Sequence, residues 1–248
     1  MLEIKNLTAY ADKKLIIDNL NLKINDGEIH ALMGPNGVGK STLCKILLKD
    51  DEYKVKSGSI VYNGNDLLKL RTDEIAKLGI FLLNQHPLEV EGVTNAEMLR
   101  VSLGIKTGKP VNIFEFNKKM ELICDKLDLP RSFIHREINV GMSGGERKKN
   151  ELLHLWMLEP KFIILDEIDS GLDVDALKIV ANSLKEYYEE YKPSILIITH
   201  HIELLEYLKP NYVHVLKNGK IVKTGNYDLA KTIEKYGFNE ANEVDEKK

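Results

Sequence analysis

The chain has 248 residues, of which 43% are hydrophobic and 29% are charged, as in an ordinary globular protein. Its 35 basic and 38 acidic residues give a net charge of −3, which excludes the basic excess of a typical nucleic-acid-binding surface. Two cysteines, Cys44 and Cys124, are too few for a disulfide framework, or for a protein-held iron–sulfur cluster with its about four ligands. Both lie in helical patterns, which predicts small buried hydrophobic side chains.

The sequence carries no sign of export or of membrane insertion. Residues 1–5 lack the basic and apolar segments of a secretory signal. The longest apolar runs, such as residues 194–198, are far shorter than the roughly 20 residues of a membrane span. We therefore expect a soluble, cytoplasmic protein without direct membrane insertion.

The first third of the chain predicts strands. Residues 2–7 and 20–24 alternate between apolar and polar, as half-buried antiparallel strands do. Residues 29–33 are a continuous apolar run that leads into a glycine-rich loop. Residues 57–62 predict a further strand, which ends in the turn Asn63-Gly64. These patterns indicate an N-terminal antiparallel β subdomain.

The middle of the chain predicts helices, and the last third returns to an α/β pattern. Phe116, Met120, Ile123 and Leu127 recur at helical spacing. Apolar strand runs follow at 162–165, 194–198 and 212–216 in a parallel α/β arrangement. We predict one domain over residues 1–238, with a helical subdomain inserted at about 87–158. Residues 239–248 are predicted to form a polar, frayed tail.

The loop after residues 29–33 matches the phosphate-binding pattern G-x-x-x-x-G-K-[ST], the Walker A motif, and a predicted helix follows it. Its glycines let backbone N–H groups surround phosphate oxygens at a helix N-terminus, where the helix dipole favours anions. Lys40 would contact the β- and γ-phosphates, and Ser41 would ligate Mg²⁺. The residues predicted to bind ATP in this loop are Gly34, Pro35, Asn36, Gly37, Val38, Gly39, Lys40, Ser41 and Thr42.

The apolar strand at 162–165 ends in two acidic residues, Asp166 and Glu167. Ligands of α/β proteins bind at the carboxyl ends of such strands. Asp166 is predicted to hold Mg²⁺ directly or through water, and Glu167 to polarise the attacking water as a general base. An acidic pair after a strand is often structural, but the phosphate-binding loop in the same chain favours the functional interpretation.

Residues 142–146, Met-Ser-Gly-Gly-Glu, combine a helix start with exposed backbone. Ser143 and Glu146 have the spacing of a capping box, and Gly144 and Gly145 leave N–H groups uncovered at the positive end of the helix dipole. A capping box alone would explain this motif. Beside the loop and the acidic pair, it resembles the signature of ABC ATPases, which usually begins with Leu and ends with Gln.

The resemblance to ABC ATPases covers about residues 2–238 and implies the P-loop ABC ATPase fold: α/β, with the N-terminal antiparallel β subdomain and the inserted helical subdomain. In this family, the signature of one subunit binds the γ-phosphate held by the other. The resemblance therefore implies an ATP-dependent homodimer, in which Ser143, Gly144 and Gly145 contact nucleotide across the interface.

The same resemblance implies functions for four further residues. Gln85 would touch Mg²⁺ and the attacking water, and Asp173 would lie in the loop that links the two sites. His200 would sense the γ-phosphate, so that Glu167, His200 and Gln85 form the catalytic set. Tyr10 would stack on adenine, which rests on its position alone. A lone histidine at a strand end, such as His200, usually has no special role outside this context.

Three stretches narrow the resemblance to one group. Residues 147–151, Arg-Lys-Lys-Asn-Glu, follow the signature where transporter ATPases usually have Gln-Gln-Arg, and Ile168 follows Glu167 where they usually have Pro. With residues 208–225, these stretches are similar to SufC, the family of ATPase subunits of the SUF iron–sulfur cluster assembly machinery. Met142 and His86 depart from the usual pattern of this group.

The SufC resemblance implies soluble scaffold partners similar to SufB and SufD, contacted through residues 90–99, and hydrolysis that drives their conformational change. The alternative is the nucleotide-binding subunit of an ABC membrane transporter. A nucleic-acid-handling ABC protein is disfavoured by the acidic charge balance, and we expect no nucleic-acid partner.

Overall fold

The computed structural model describes residues 1–240. The chain forms two compact units. The first comprises Met1–Leu82, Phe162–Glu167 and the described residues from Pro193 onward, and the second comprises Leu83–Lys161 and Ile168–Lys192. The predicted tail lies outside the described residues, except for the backbone of residues 239 and 240, which end the last helix.

The elements of residues 1–240 are as follows. The strands are β1 Leu2–Ala11, β2 Lys14–Ile24, β3 Ile29–Met33, β4 Tyr53–Tyr62, β5 Asn65–Asp66, β6 Ile80–Leu83, β7 Val90–Thr94, β8 Glu137–Ile138, β9 Phe162–Asp166, β10 Ser194–Ile198, β11 Tyr212–Lys217 and β12 Lys220–Gly225. The α-helices are α1 Lys40–Leu47, α2 Thr72–Lys77, α3 Asn95–Thr107, α4 Ile113–Lys126, α5 Gly144–Leu158, α6 Val174–Tyr191, α7 Glu203–Leu208 and α8 Tyr227–Glu240.

The first unit begins with the predicted antiparallel sheet, in the order β2-β1-β4-β5. Side chains of β1 alternate between the core and the surface, as its sequence predicted. Strand β4 begins at Tyr53, four residues earlier than predicted, because Tyr53 and Val55 pair with Ala11 and Ala9 of β1. Tyr53 and Val55 alternate with the exposed Lys54 and Lys56, which is the period-two pattern of a half-buried strand that the prediction did not use.

The second sheet of this unit has the order β12-β11-β3-β10-β9-β6. Strands β11, β3, β10 and β9 run parallel to one another, and β12 is antiparallel to β11. The turn of the hairpin between β11 and β12 is Asn218-Gly219, a sequence typical of such turns: both residues have positive φ, 51° and 75°, as a tight two-residue hairpin loop requires. Every side chain of β3, β9 and β10 is buried, so these strands form the centre of the unit.

Both cysteines are free and fully buried, which confirms their prediction as small hydrophobic side chains. Cys44 lies in the core between helix α1 and the sheets of the first unit. Burial raises the pKa of the Cys44 thiol well above its usual range, with a smaller contribution from the Asp166 charge. Burial also raises the pKa of Cys124, in the second unit, to about 11.

The second unit is mainly helical, with a core that the sequence predicted in part. Phe116, Met120, Ile123 and Leu127 of the predicted helix are all buried. Helix α6 belongs to this unit as well, which its position after the acidic pair did not indicate. Trp156 of α5 packs edge-on against Tyr187 of α6, and its indole N–H donates to Ser183 at 2.9 Å.

The second unit also contains two short antiparallel strands, β7 and β8, in a segment whose pattern predicted only helices. Val90, Val93 and Thr94 are β-branched and favour extended backbone. Gly92 has φ 75°, a left-handed conformation that interrupts a helix at this point. Thr94 then caps α3, where it accepts a hydrogen bond from the Glu97 N–H at 3.2 Å.

A chain of buried hydrogen bonds joins β3 to the β11–β12 hairpin. His30 Nε2 lies 3.0 Å from a Glu28 carboxylate oxygen, and His30 Nδ1 lies 2.9 Å from His214 Nε2. His214 Nδ1 lies 2.8 Å from the Thr224 hydroxyl. With both rings neutral, each N–H has an acceptor: His30 donates to Glu28, His214 donates to His30, and Thr224 donates to His214. The tilted Tyr212 ring packs against His30.

Acid should therefore destabilise the first unit through His214. Burial lowers the pKa of His214 to about 4, with a smaller contribution from His30. The unfolded chain then binds more protons than the folded chain, so this contribution is complete above about pH 6.5 and is lost as the pH falls toward 4. We expect His214 alone to cost about 2 kcal/mol between pH 8 and pH 5.

The measurement is urea unfolding across that range of pH. His214→Gln should reduce the pH dependence, whereas His135→Gln, which changes an exposed histidine of the second unit, should leave it intact. An unchanged slope in His214→Gln would exclude this histidine as the titrating group.

Candidate active site

The phosphate-binding loop begins where the buried strand β3 ends. An added Cβ at Gly34 would lie 2.5 Å from the Leu216 carbonyl oxygen of β11, so only glycine fits there. Gly39, with φ 107°, precedes α1, and Lys40 is the first residue of that helix. The loop therefore presents backbone N–H groups at the N-terminus of a helix, as the sequence predicted.

The two acidic residues after β9 have different partners. Asp166 is the last residue of β9, and one of its carboxylate oxygens accepts a hydrogen bond from the Ser41 hydroxyl at 2.9 Å. Glu167 has φ 46°, a left-handed conformation that is uncommon for a residue with a side chain and often found at functional sites. Its N–H donates to the Ile198 carbonyl at 2.8 Å, which ties this residue to β10.

The Glu167 carboxylate lies between two basic side chains. One of its oxygens is 3.5 Å from Lys40 Nζ and 3.6 Å from His200 Nδ1. Lys40 is almost fully buried and also donates to the Gly34 and Pro35 carbonyls, at 2.8 and 3.1 Å. Nδ1 of His200 is buried and has no hydrogen-bond partner within residues 1–240. Three predicted site residues thus meet at one point of the first unit.

A cavity of about 330 Å³ lies over the loop. It is lined by Asn36, Gly37, Gly39, Lys40, Ser41 and Thr42 of the loop and helix, together with Glu167 and Ile16. Ile16 of β2 was not predicted, because nothing in its local sequence separates it from other strand residues. Tyr10 is not among the lining residues; its ring lies under Lys56, with Nζ 5.8 Å from the ring centroid. The function of Tyr10 in adenine binding stays a prediction.

In the second unit, the signature forms the predicted capping box. Ser143 Oγ accepts from the Glu146 N–H at 3.3 Å, and the Glu146 carboxylate accepts from the Ser143 N–H at 2.8 Å. These hydrogen bonds lower the pKa of Glu146. An added Cβ at Gly144 would meet no atom within 4 Å, so the start of α5 is open to an approaching group. Asp173 caps α6, accepting from the Ala176 N–H at 2.7 Å.

Gln85 and the start of the signature helix line one cavity of the second unit. This cavity of about 320 Å³ is lined by Gln85, His86, Pro87, Met142, Gly144, Arg147, Lys148, Ser170, Gly171 and Leu172. It brings together three sequence motifs: the segment around Gln85, called here the glutamine loop, the signature and the segment just before Asp173. Lys148 was not predicted to lie in the site, although the sequence singled out residues 147–151 as unusual.

The sequence pattern of the family described as "ABC transporter" matches residues 17–170, more than half of the chain. The chain is 45% identical over 246 residues to the "Probable ATP-dependent transporter ycf16" of Trieres chinensis, covering 96% of both proteins. It is 42% identical over 242 residues to the "Probable ATP-dependent transporter SufC" of Escherichia coli, covering 96% of this chain and 97% of the relative.

The chain belongs to the ABC transporter family. Among its relatives in that family, it is similar to the SufC group. Solved structures agree on the fold: the ATP-binding cassette MJ0796, in a dimeric post-hydrolysis state with ADP and Pi, matches 92% of this chain and 99% of its own at 24% identity, with a TM-score of 0.78. The predicted fold class is confirmed. As an ABC ATPase, the chain binds and hydrolyses ATP.

The site of this ABC ATPase has oxygen donors suited to Mg²⁺. Ser41 and Asp166 offer a hydroxyl and a carboxylate within 2.9 Å of each other, beside the phosphate-binding loop. Mg²⁺ usually takes one or two protein carboxylates and completes its shell with phosphate oxygens and water. Accordingly, a cage of three or more His, Cys, Asp or Glu side chains is not needed, and residues 1–240 contain none. No helix of this part of the chain is long and apolar enough to cross a membrane.

Lys40→Ala should weaken ATP binding by about 10- to 100-fold, because hydrogen bonds to charged groups contribute about 1.5–3 kcal/mol. Titration calorimetry with Mg-ATP measures the change. Lys45→Ala is the matched control, since Lys45 lies on the same helix with an exposed side chain that faces Glu52. Equal ATP affinity in the two variants would contradict the assignment of Lys40 to the phosphates.

Proposed function

We propose that this ABC ATPase is the energy-supplying subunit of a SUF-type iron–sulfur cluster assembly complex. In this proposal two copies close around ATP and reopen after hydrolysis, and this movement changes the shape of bound scaffold proteins similar to SufB and SufD. The observation that carries the proposal is the 42% identity to the SufC protein of Escherichia coli over 96% of the chain.

The residues that follow the signature also support the assignment to the SufC group. Residues 147–151 differ from the Gln-Gln-Arg run that is usual in transporter ATPases, and two of them, Lys148 and Glu151, are buried charged side chains. Buried charges are rare and need specific partners, so this run is adapted to its surroundings within the second unit.

In the proposed reaction, Lys40 leaves the loop carbonyls and contacts the β- and γ-phosphates of ATP. Ser41 and Asp166 would hold Mg²⁺, and Gln85 is the predicted further contact. The ion supplies positive charge to the phosphate oxygens when it is bound. Loop N–H groups at the start of α1 stabilise the charge that develops on the transferred phosphoryl group.

Glu167 is the proposed general base. Its carboxylate faces Lys40 at 3.5 Å, and ATP would compete for that lysine. Once Lys40 is bound to phosphate, the carboxylate is available to orient a water for attack. In this proposal His200, whose Nδ1 is 3.6 Å from the same carboxylate, would contact the γ-phosphate. General-base catalysis of this kind contributes about 10²–10⁴-fold.

The proposed active unit is a head-to-tail dimer. Gly144 and Gly145 begin the 15-residue helix α5, Ser143 caps it, and Ser143 and Gly144 are exposed. The helix dipole and the open N–H groups make this helix end suitable for the γ-phosphate bound by a second copy. Asp173 would lie in the loop that links the two sites, where it caps α6.

Glu167→Gln should reduce ATP hydrolysis by about 10²–10⁴-fold, because the amide cannot accept a proton from water. ATP binding should persist, since the phosphate-binding loop is unchanged, and the closed dimer should accumulate. Light scattering after size-exclusion chromatography in saturating ATP measures the assembly. Ser143→Arg added to Glu167→Gln puts a bulky side chain at the start of the signature helix, where the γ-phosphate of the second copy would bind. This double variant should be a monomer. A monomeric Glu167→Gln variant in saturating ATP would refute the dimer.

The proposed cellular role is tested by capture of the tagged chain from its own cells without detergent, followed by identification of the proteins that copurify. We expect scaffold proteins together with iron or sulfide. Glu91→Lys, on the exposed surface of β7, should weaken their capture at unchanged basal hydrolysis, and Glu115→Lys, exposed on α4, is the control. An integral membrane partner that requires detergent would instead favour a transporter subunit.

A further inference from the structure

The signature helix carries an ion pair on its buried face. Lys148 Nζ lies 3.1 Å from a carboxylate oxygen of Glu151, one helical turn further along α5. Only 3% of the Lys148 side chain and 11% of the Glu151 side chain are exposed. Burial raises the pKa of Glu151, although Lys148 lowers it. Because desolvation offsets most of the attraction in such a pair, its contribution to stability does not explain its presence.

Both charged groups of this pair bind the backbone of Asn84. The Asn84 N–H donates to Glu151 at 2.9 Å, and the Lys148 ammonium group donates to the Asn84 carbonyl oxygen. Asn84 stands between the end of β6 at Leu83 and Gln85. The two backbone groups next to Gln85 on its N-terminal side are therefore held by one face of the signature helix.

The segment is also held on the other side of Gln85. Arg147 forms an ion pair with Glu89, and its Nε donates to the Met142 carbonyl at 2.9 Å. The amide of Asn139 donates to the Leu88 carbonyl at 2.8 Å, and its oxygen accepts from Asn150 of α5 at 3.0 Å. Residues 85–87 thus form a short loop between two points that are fixed to the same helix.

We propose that Lys148 and Glu151 are positioning residues that set the location of Gln85 for ATP hydrolysis by holding the backbone of Asn84. This inference rests on the proposed function, in which Gln85 touches Mg²⁺ and the attacking water. The inference explains why charged residues follow the signature at 147–151 in this chain: they hold the glutamine loop. A displacement of α5 at its signature end is then passed directly to Gln85.

The test removes the pair without leaving a lone buried charge. Lys148→Met combined with Glu151→Leu replaces it by apolar side chains, a change that folded proteins generally tolerate. Lys148→Met combined with Glu151→Gln also removes both charges but keeps an oxygen that can accept from Asn84. Lys149→Met is the matched control, since Lys149 lies on the same helix and its ammonium group donates to the Asp128 carbonyl at 3.0 Å instead.

Two measurements separate positioning from general destabilisation. Hydrogen exchange of a peptide covering residues 83–89 should be about tenfold faster in the Met/Leu variant at an unchanged melting temperature. The turnover number should fall by about 10- to 100-fold, as expected for a misplaced catalytic group, with little change in ATP affinity. The Met/Gln variant should recover part of the slow hydrogen exchange and part of the turnover number. Lys149→Met should resemble the unmodified chain in both measurements.

Combination with Gln85→Ala decides the mechanism. If the pair acts through Gln85, the Met/Leu change should have almost no further effect on turnover once Gln85 is absent. Effects that multiply, a Met/Leu variant that turns over like Lys149→Met, or a Gln85→Ala variant with normal turnover would each overturn the inference. The first two outcomes leave the proposed ATPase mechanism standing, because its central roles fail only if the Lys40 and Glu167 variants hydrolyse ATP normally. A Gln85→Ala variant with normal turnover would also remove Gln85 from that mechanism, but not Lys40 or Glu167.

Discussion

The parallel pairing of β3, β9 and β10 determines where every group of the first unit's site can lie. These strands expose no side chain, so their backbone groups must be paired with neighbouring strands. Ile198 of β10 is opposite Leu32 on one side and Asp166 on the other, which brings the three carboxyl ends to one edge. The phosphate-binding loop, the acidic pair and His200 all lie at that edge, because each comes at or just after the end of one of these strands. A shift of one residue in β9 would move Asp166 away from Ser41.

Much of this arrangement could be predicted because its signals are local. An apolar run followed by a glycine-rich loop predicts a strand and a phosphate site, which locates Lys40. An apolar run followed by two acidic residues predicts a strand and a metal or base site, which locates Glu167. The capping box at Ser143 is equally local. The start of β4 at Tyr53 was missed although its apolar residues alternate with lysines, as in other half-buried strands, and pairing with β1 fixes this part of the strand. Ile16 was missed because it lines the cavity only through contact with the phosphate-binding loop, which lies further along the chain.

The buried face of α5 shows a second limit of local signals. Lys148, Asn150, Glu151 and His154 would usually be assigned to an exposed helix face, yet all four are buried. Their partners lie far away in sequence: Asn84 for the ion pair, and Asn95 for both Asn150 and His154. The departure from the common transporter sequence indicated that this run is special, but only the tertiary contacts reveal what it holds.

The buried thiols have a practical consequence for work on this ATPase. The thiolate is the form of cysteine that attacks electrophiles and ligates metals, and burial keeps Cys44 and Cys124 protonated at neutral pH. The folded chain, which has two cysteines in all, therefore presents no reactive sulfur of its own to iron, sulfide or oxidants. A single cysteine introduced at an exposed position would be the one site for a fluorescent or spin label, so the closing of two copies could be followed without removing any native residue.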